Sequence, residues 1–419
     1  MAAAPTHSRR SIWTLIGVET MCLLGSEISR FGVSVWIYQT TESVSAFSAL
    51  LLANTLPGML ASPIAGSIVD RSSRKRVMIG AALVSLCGTL IVLAGALLGE
   101  LSMPLVIAGA CLASVGEAFQ WPALSASIPL MASEEDLPRY NGFLESGRAA
   151  SMLAGPALAG FLLAFLGLPA LVAIELVTFA LATVVVAATA IPRPDAPPDA
   201  SDEPPPSLIA DSLFGFTWIA AHKPLLKFLL VATFANFFIS IGIVLMPPYG
   251  LSFLGEQAYG ITNGLFGAGM IAGGLLYGAL AKRFTNAQQF LATALVLGVV
   301  YVGYGFARDP YTLGAMNLLI ATTMTMGNAA IMTVWQLKVP DELQGRVLST
   351  MRLVADITIP VSFLLAGPLT DKLVPRLYPS GTGTEQMGAL FSVMGGLLFV
   401  GFVVASLVKD VRRVEDMEA

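Results

Sequence analysis

Charge is scarce in this sequence. Of its 419 residues, 12% are Asp, Glu, Lys or Arg, against about 25% in an ordinary soluble chain. Histidine is scarcer still, with only His7 and His222. The three cysteines, Cys22, Cys87 and Cys111, sit apart in apolar runs. They offer neither a disulfide framework nor metal-ligand spacing and read as small packing residues, so no metal site is expected. No Walker A run is present to cradle ATP, and neither His-Glu-x-x-His nor Gly-x-Ser-x-Gly occurs. These absences argue against an enzyme, a resident cofactor and a nucleic-acid partner. Any work the chain does must draw on an ion gradient or on a substrate's own gradient.

What is abundant is apolar. Hydrophobic residues make up 55% of the chain, and its mean hydropathy is +0.76. A bilayer core is crossed by about 20 apolar residues of helix. By that ruler, helices are expected near 12–38, 46–69, 77–98, 104–130, 142–166 and 169–190, then near 225–251, 259–281, 287–306, 311–336, 346–370 and 387–408. Arg9 and Arg10 precede the first run as in a signal peptide. That run is too long for a signal core and carries Glu19, Glu27 and Arg30, so it reads as a retained helix. The fold class is therefore an all-α membrane protein with twelve transmembrane helices in two pseudo-symmetric six-helix bundles. The bundles are expected over 1–190 and 225–419. Between them, 191–224 is a cytoplasmic linker, rich in Pro and Asp up to Pro206 and then amphipathic at Ile209, Leu213, Phe216 and Ala220.

The placement of bases supports this count. With both termini inside, seventeen Lys and Arg fall on inner loops and tails, three (Arg308, Lys372, Arg376) fall on outer loops, and three (Arg30, Arg148, Arg352) fall within spans, which makes 23. The halves also echo each other. Gly66-x-x-x-Asp70-Arg71 is matched 212 residues later by Gly278-x-x-x-Lys282-Arg283, and Arg148 with Pro156 is matched 204 residues later by Arg352 with Pro360. Two ordered echoes point to a duplicated unit.

The knot Gly66-Ser67-Ile68-Val69-Asp70-Arg71-Ser72-Ser73-Arg74-Lys75 resembles the loop between helices two and three of the major facilitator superfamily of transporters. Gly147 followed by Gly155-Pro156-Ala157-Leu158-Ala159-Gly160 resembles the antiporter signature seen mainly in that superfamily's exporters. Small residues there allow close helix approach, and Pro156 bends the helix. Gly25 to Phe31 running to Thr41, Glu134 to Asn141, and Val339 to Val347 resemble the branch that includes macrolide efflux proteins and the enterobactin exporter. The resemblance implies alternating access by two six-helix halves, with Asp70 near the start of helix eleven. One departure stands out. Drug–proton exchangers of the superfamily often carry an arginine in helix four, and Pro104 to Leu130 has no Arg or Lys.

Ionisable residues in a bilayer are functional candidates by default. Glu27 and Arg30, three apart, can pair, and Glu19 lies two turns earlier near the same face. Glu117, Gln120 and Trp121 share a face of helix four, with Glu117 a candidate proton carrier and Trp121 a candidate platform for an apolar or cationic substrate. Glu145 with Arg148, and Arg352 with Asp356, read either as an inner gate or as a fixed network at the bundle edge. Asn54, Asn236 and Asn328, with Asn317, Trp335 and Gln336, are candidates for cavity walls or interhelical hydrogen bonds. Glu175 is alone in helix six and has no evident role. The expected function is export of a lipophilic or amphiphilic small molecule, exchanged for protons, by a monomer in the cell membrane. Uptake of a small polar solute is the first alternative. A non-transporting receptor or scaffold is the second, and a helical membrane enzyme the third.

Overall fold

The computed structural model describes residues 9–132, 136–192, 208–340 and 343–416. All regular structure among them is helical. Four helices open the chain: α1 (Arg9–Thr41), α2 (Val44–Arg71), α3 (Arg74–Leu98) and α4 (Met103–Met131). Their ends follow local chemistry. Ser43 caps α2 by accepting from the Ala46 N–H, and Gly99 ends α3 in the left-handed region at φ 71°.

The next element, α5 (Leu137–Ala188), runs 52 residues. At about 1.5 Å per residue it is more than twice the depth of a bilayer core. Gly167 breaks it at φ 73° and ψ 172°, a backbone that L side chains avoid, and Pro169 follows two residues later. The element is thus two limbs in one run of helix. Among the described residues, eleven helices are long and apolar enough to cross a membrane. Counting the limbs of α5 separately makes twelve, in keeping with the sequence pattern.

After the linker come α6 (Leu208–Ala221), α7 (Lys223–Leu251), α8 (Glu256–Leu280), α9 (Asn286–Tyr304) and α10 (Pro310–Lys338). A broken passage follows: α11 (Gln344–Asp356), α12 (Thr358–Pro368), a π turn at Leu369–Leu373, and α13 (Val374–Leu377). The chain ends with α14 (Gly383–Leu407) and the short α15 (Lys409–Arg412).

Two compact units result. One holds residues 1–198 with 255–264, and the other holds 199–254 with 265–419. A helix, α6, runs over the end of the expected linker, with Gly215 and Ile219 buried and Phe216 and Ala220 exposed among its described residues. It groups with the second unit, where it packs on α11 with Ile219 buried. In the first unit, small residues bring backbones together. A Cβ on Gly88 would stand 2.5 Å from the Gly109 carbonyl, so α3 and α4 meet without intervening side chains.

The bases of the 66–75 knot serve this packing. Arg74 donates to the Ala126 carbonyl near the end of α4, and Lys75 donates at 2.9 Å to the Thr189 carbonyl that ends α5. Cations there meet the negative ends of two helices. Gly66, Asp70, Arg71 and Glu145 lie outside the residues whose side chains are described.

Candidate functional site

A cavity of about 370 Å3 opens within the first unit. Its walls come from α1, α3, α4 and both limbs of α5. Helix α1 contributes Glu19, Glu27 and Arg30, and α4 contributes Glu117, Gln120 and Trp121. The spacings read from sequence place each set on a shared face. Packing then turns the two faces toward one space.

Arg30 is the hub. Its guanidinium donates to the Glu117 carboxylate at 2.7 Å and lies 3.5 Å from the Glu27 carboxylate. Glu117 stands alone in helix four when read from sequence, and the fold gives it a partner 87 residues away. The Arg30 and Glu117 side chains keep 40% and 46% of their exposure. A pair this open to solvent is held by only about 0–1 kcal/mol, so it can exchange partners.

Glu19 is 7% exposed and is hydrogen-bonded by the Gln120 side chain. The other polar atom of that amide, Oε1, is buried and has no partner. The Arg148 guanidinium sits 5.5 Å from the centre of the Trp121 ring, within reach of a cation–π attraction. Pro122 follows Trp121 inside α4, where it removes a backbone bond and loosens the turn that presents Glu117 to Trp121.

The antiporter-like motif shapes the same wall. A Cβ on Gly155 would lie 2.5 Å from the Glu27 Cβ, and one on Gly147 would lie 2.3 Å from the Thr20 hydroxyl. These glycines let α5 press directly on the α1 face that carries the acids. Gly160 lies against Gly260, which groups with this unit, and Pro156 is inside the helix one turn before it.

Other candidates fall elsewhere. Asn54 borders a smaller neighbouring cavity of the first unit. In the second unit, Asn236 donates across to the Ala355 carbonyl at 3.3 Å, Asn328 is exposed, and Asn317 and Trp335 are buried. Arg352 and Asp356 are four apart on α11, yet no ion pair within 4.0 Å joins them among the described residues. Glu175 is singled out in the sequence as an intramembrane acid but is given no partner there. It comes from the second limb of α5 and is hydrogen-bonded by the Ser26 and Ser29 hydroxyls of α1. No spacing rule links positions so far apart in the chain.

The cluster is acid-rich. Glu19, Glu27, Glu117 and Glu175 face Arg30 and Arg148, four carboxyls to two guanidiniums. Carboxylates in a bilayer are costly unless they are paired, protonated or in contact with water.

Comparison with known proteins agrees with this architecture. The profile of the Major Facilitator Superfamily matches residues 18–363. Macrolide efflux protein A of Streptococcus pyogenes is 24% identical over 407 residues, covering 96% of this chain and 97% of that protein. Multidrug efflux pump Tap of Mycobacterium tuberculosis (strain ATCC 25618 / H37Rv) is 24% identical, covering 87% of this chain and 88% of its own. Among solved structures, a bacterial homologue of the iron transporter ferroportin superposes with a TM-score of 0.72 at 17% identity, covering 95% of this chain and 99% of that one. A bacterial homologue of the lysosomal transporter Spinster gives a TM-score of 0.73 at 13% identity, covering 98% and 99%. These relatives are transporters, not enzymes.

Proposed function

The chain belongs to the Major Facilitator Superfamily, and on that premise we propose that it exports a lipophilic or amphiphilic small molecule in exchange for protons. It is a multi-pass membrane transporter of small molecules. The reading of its direction, cargo and coupling is ours. The observation that carries it is the first-unit cavity, where an aromatic ring and an acid-rich cluster share one wall. Trp121 and Met152 offer an apolar surface to the cargo. The cargo competes with Arg30 and Arg148 for Glu27, Glu117 and the Trp121 face.

Proton exchange follows from the same geometry. When Glu117 lets go of Arg30 it can take a proton, and Arg30 then satisfies Glu27. An incoming proton neutralises the carboxylate that cargo holds, so cargo is released as the proton binds. When the proton leaves on the other side, the carboxylate is again open to Arg30 or to the next cargo. Alternating access in the bacterial cell membrane, with both termini cytoplasmic as the distribution of bases suggests, turns this exchange into transport. The relatives named for macrolide and multidrug efflux support the outward direction. Uptake of a polar solute fits less well, because the cavity wall mixes Leu23, Met152 and Phe179 with its acids.

The test is efflux from cells with and without the protein, using erythromycin and ethidium. Expression is expected to lower accumulation of at least one of them, and a protonophore is expected to abolish the difference. Higher accumulation on expression would reverse the direction, and efflux indifferent to the protonophore would remove the proton.

A further inference from the structure

Beyond the Arg30–Glu117 pair lies a second, smaller cavity of about 60 Å3. One water needs on the order of 10–15 Å3 of such space, so the chamber suits a few waters and no drug-sized cargo. Its polar wall is Ser29, Asn54, Thr89 and Glu175. The two cavities have Arg30 and Glu117 in common and no other wall residue. Glu19 and Glu27 border only the large cavity, and Glu175 borders only the small one.

We propose that this chamber is a proton-holding site separate from the cargo cavity, with Glu175 as its acceptor and the Arg30–Glu117 pair as the partition. The inference rests on the proton-coupled reading above and adds a place for the proton outside the cavity assigned to the cargo. The ionisable groups that act on Glu175 are Arg30 and Cys22 from α1 and Glu117 from α4. The chamber walls given by α2 and α3 carry Asn54 and Thr89 but no ionisable group. Arg30 therefore stands among three carboxyls, Glu27, Glu117 and Glu175, and one guanidinium cannot balance three negative charges.

The step moves one proton. Glu117, released from Arg30, takes a proton from the large cavity. The proton passes through chamber water to a Glu175 carboxylate oxygen. Glu175 becomes neutral, and Glu117 is again a carboxylate free to rejoin Arg30. The Ser26 and Ser29 hydroxyls hold the acceptor oriented in either state, since a hydroxyl can donate or accept.

Infrared difference spectra of the full-length protein in lipid vesicles, stepped between acid and alkaline buffer, read this directly and need no cargo. Wild type is expected to show a titrating carboxyl band that Glu175→Gln removes. Ala113→Leu fills the chamber while keeping every carboxyl, and is expected to slow deuterium exchange of that band several-fold. A spectrum unchanged by Glu175→Gln, or exchange in Ala113→Leu as fast as in wild type, overturns the proposal and leaves Glu175 a structural hydrogen-bonded acid. Absence of drug efflux in cells would defeat the export reading without touching the infrared result, so the two can fail separately.

Discussion

The two units of this duplicated chain share a helical plan and differ in what fills it. The first has a charged, partly open interior, where Glu19, Glu27, Arg30, Glu117 and Arg148 line one cavity. The second is packed with rings. Tyr249, Tyr301, Tyr304 and Phe391 pack at centroid distances of 4.6–5.8 Å, and Phe228, Phe290 and Phe402 form a further group of edge-on ring contacts. Phe391 and Phe402 are fully buried. One helical plan thus holds two interiors: ionisable side chains gather at the first unit's cavity, and aromatic rings pack closely in the second.

The ends of matching helices differ as well. In the first unit, Arg74 and Lys75 at the start of α3 reach out to the ends of α4 and α5. In the second, Lys282 and Arg283 precede α9 but are exposed. There the start of α9 is held by Glu415, which accepts from the Ala287 N–H at 3.0 Å and from the Asn286 amide at 2.6 Å. Bases on helix C-termini and an acid on a helix N-terminus satisfy opposite ends of the same dipole.

Replacing the hub should separate the units most sharply. Arg30→Ala is expected to drop efflux to that of cells lacking the protein while changing stability by only about 1 kcal/mol, because the pair is open to solvent. Dye efflux at matched membrane levels, together with thermal melting, checks both halves of that statement. Phe391→Ala should do the reverse. A fully buried ring lost from a packed core costs about 3–5 kcal/mol, yet transport per folded molecule should persist. If Arg30→Ala transports normally and Phe391→Ala does not, the division of labour is wrong.

Gly155→Ala falls between these extremes. Its methyl group must push on the Glu27 Cβ, an overpacking that costs about 1–3 kcal/mol, and it should weaken efflux as well as melting temperature. Glu415→Ala should lower stability by about 0.5–2 kcal/mol, as for the loss of a helix cap, with efflux unchanged; guanidinium-free thermal scans in detergent would show it.

The smallest effect is expected at Asp309, which caps α10 by accepting from the Tyr311 and Thr312 N–H groups at 2.9 and 3.0 Å. The Thr312 hydroxyl and these backbone bonds hold its carboxyl below the usual range. A depressed folded-state value means the cap contributes fully above the ordinary carboxylate range and loses its contribution as pH falls through the lowered value. Melting of wild type and Asp309→Asn should therefore converge in acid and differ slightly at neutral pH. A constant difference across pH would show that the charge is irrelevant.

Much of this was legible one residue at a time. Hydropathy located the spans, and the base count favoured an even number of crossings. The i, i+3 spacing of Glu27 and Arg30 anticipated their pairing, and the shared face of Glu117, Gln120 and Trp121 anticipated a common wall. The merging of α5 across Gly167 was less visible, since a glycine among many gives no sign that its φ is positive. In the second unit, Asn317 and Trp335 went to packing and Asn236 to the Ala355 carbonyl, while Asn328 stayed exposed, although all four resembled the first unit's polar residues in sequence.

By itself the sequence determined where helices run, that they repeat, and which few charges must be accommodated in hydrocarbon, because those follow from local hydropathy and fixed helical periodicity. Only the tertiary structure decided that Arg30 meets Glu117, that Arg148 covers Trp121, and that Glu175 borders a chamber of its own. Those neighbours lie on different helices, and a helix's rotation about its axis is set by how it packs against others, which no local pattern encodes.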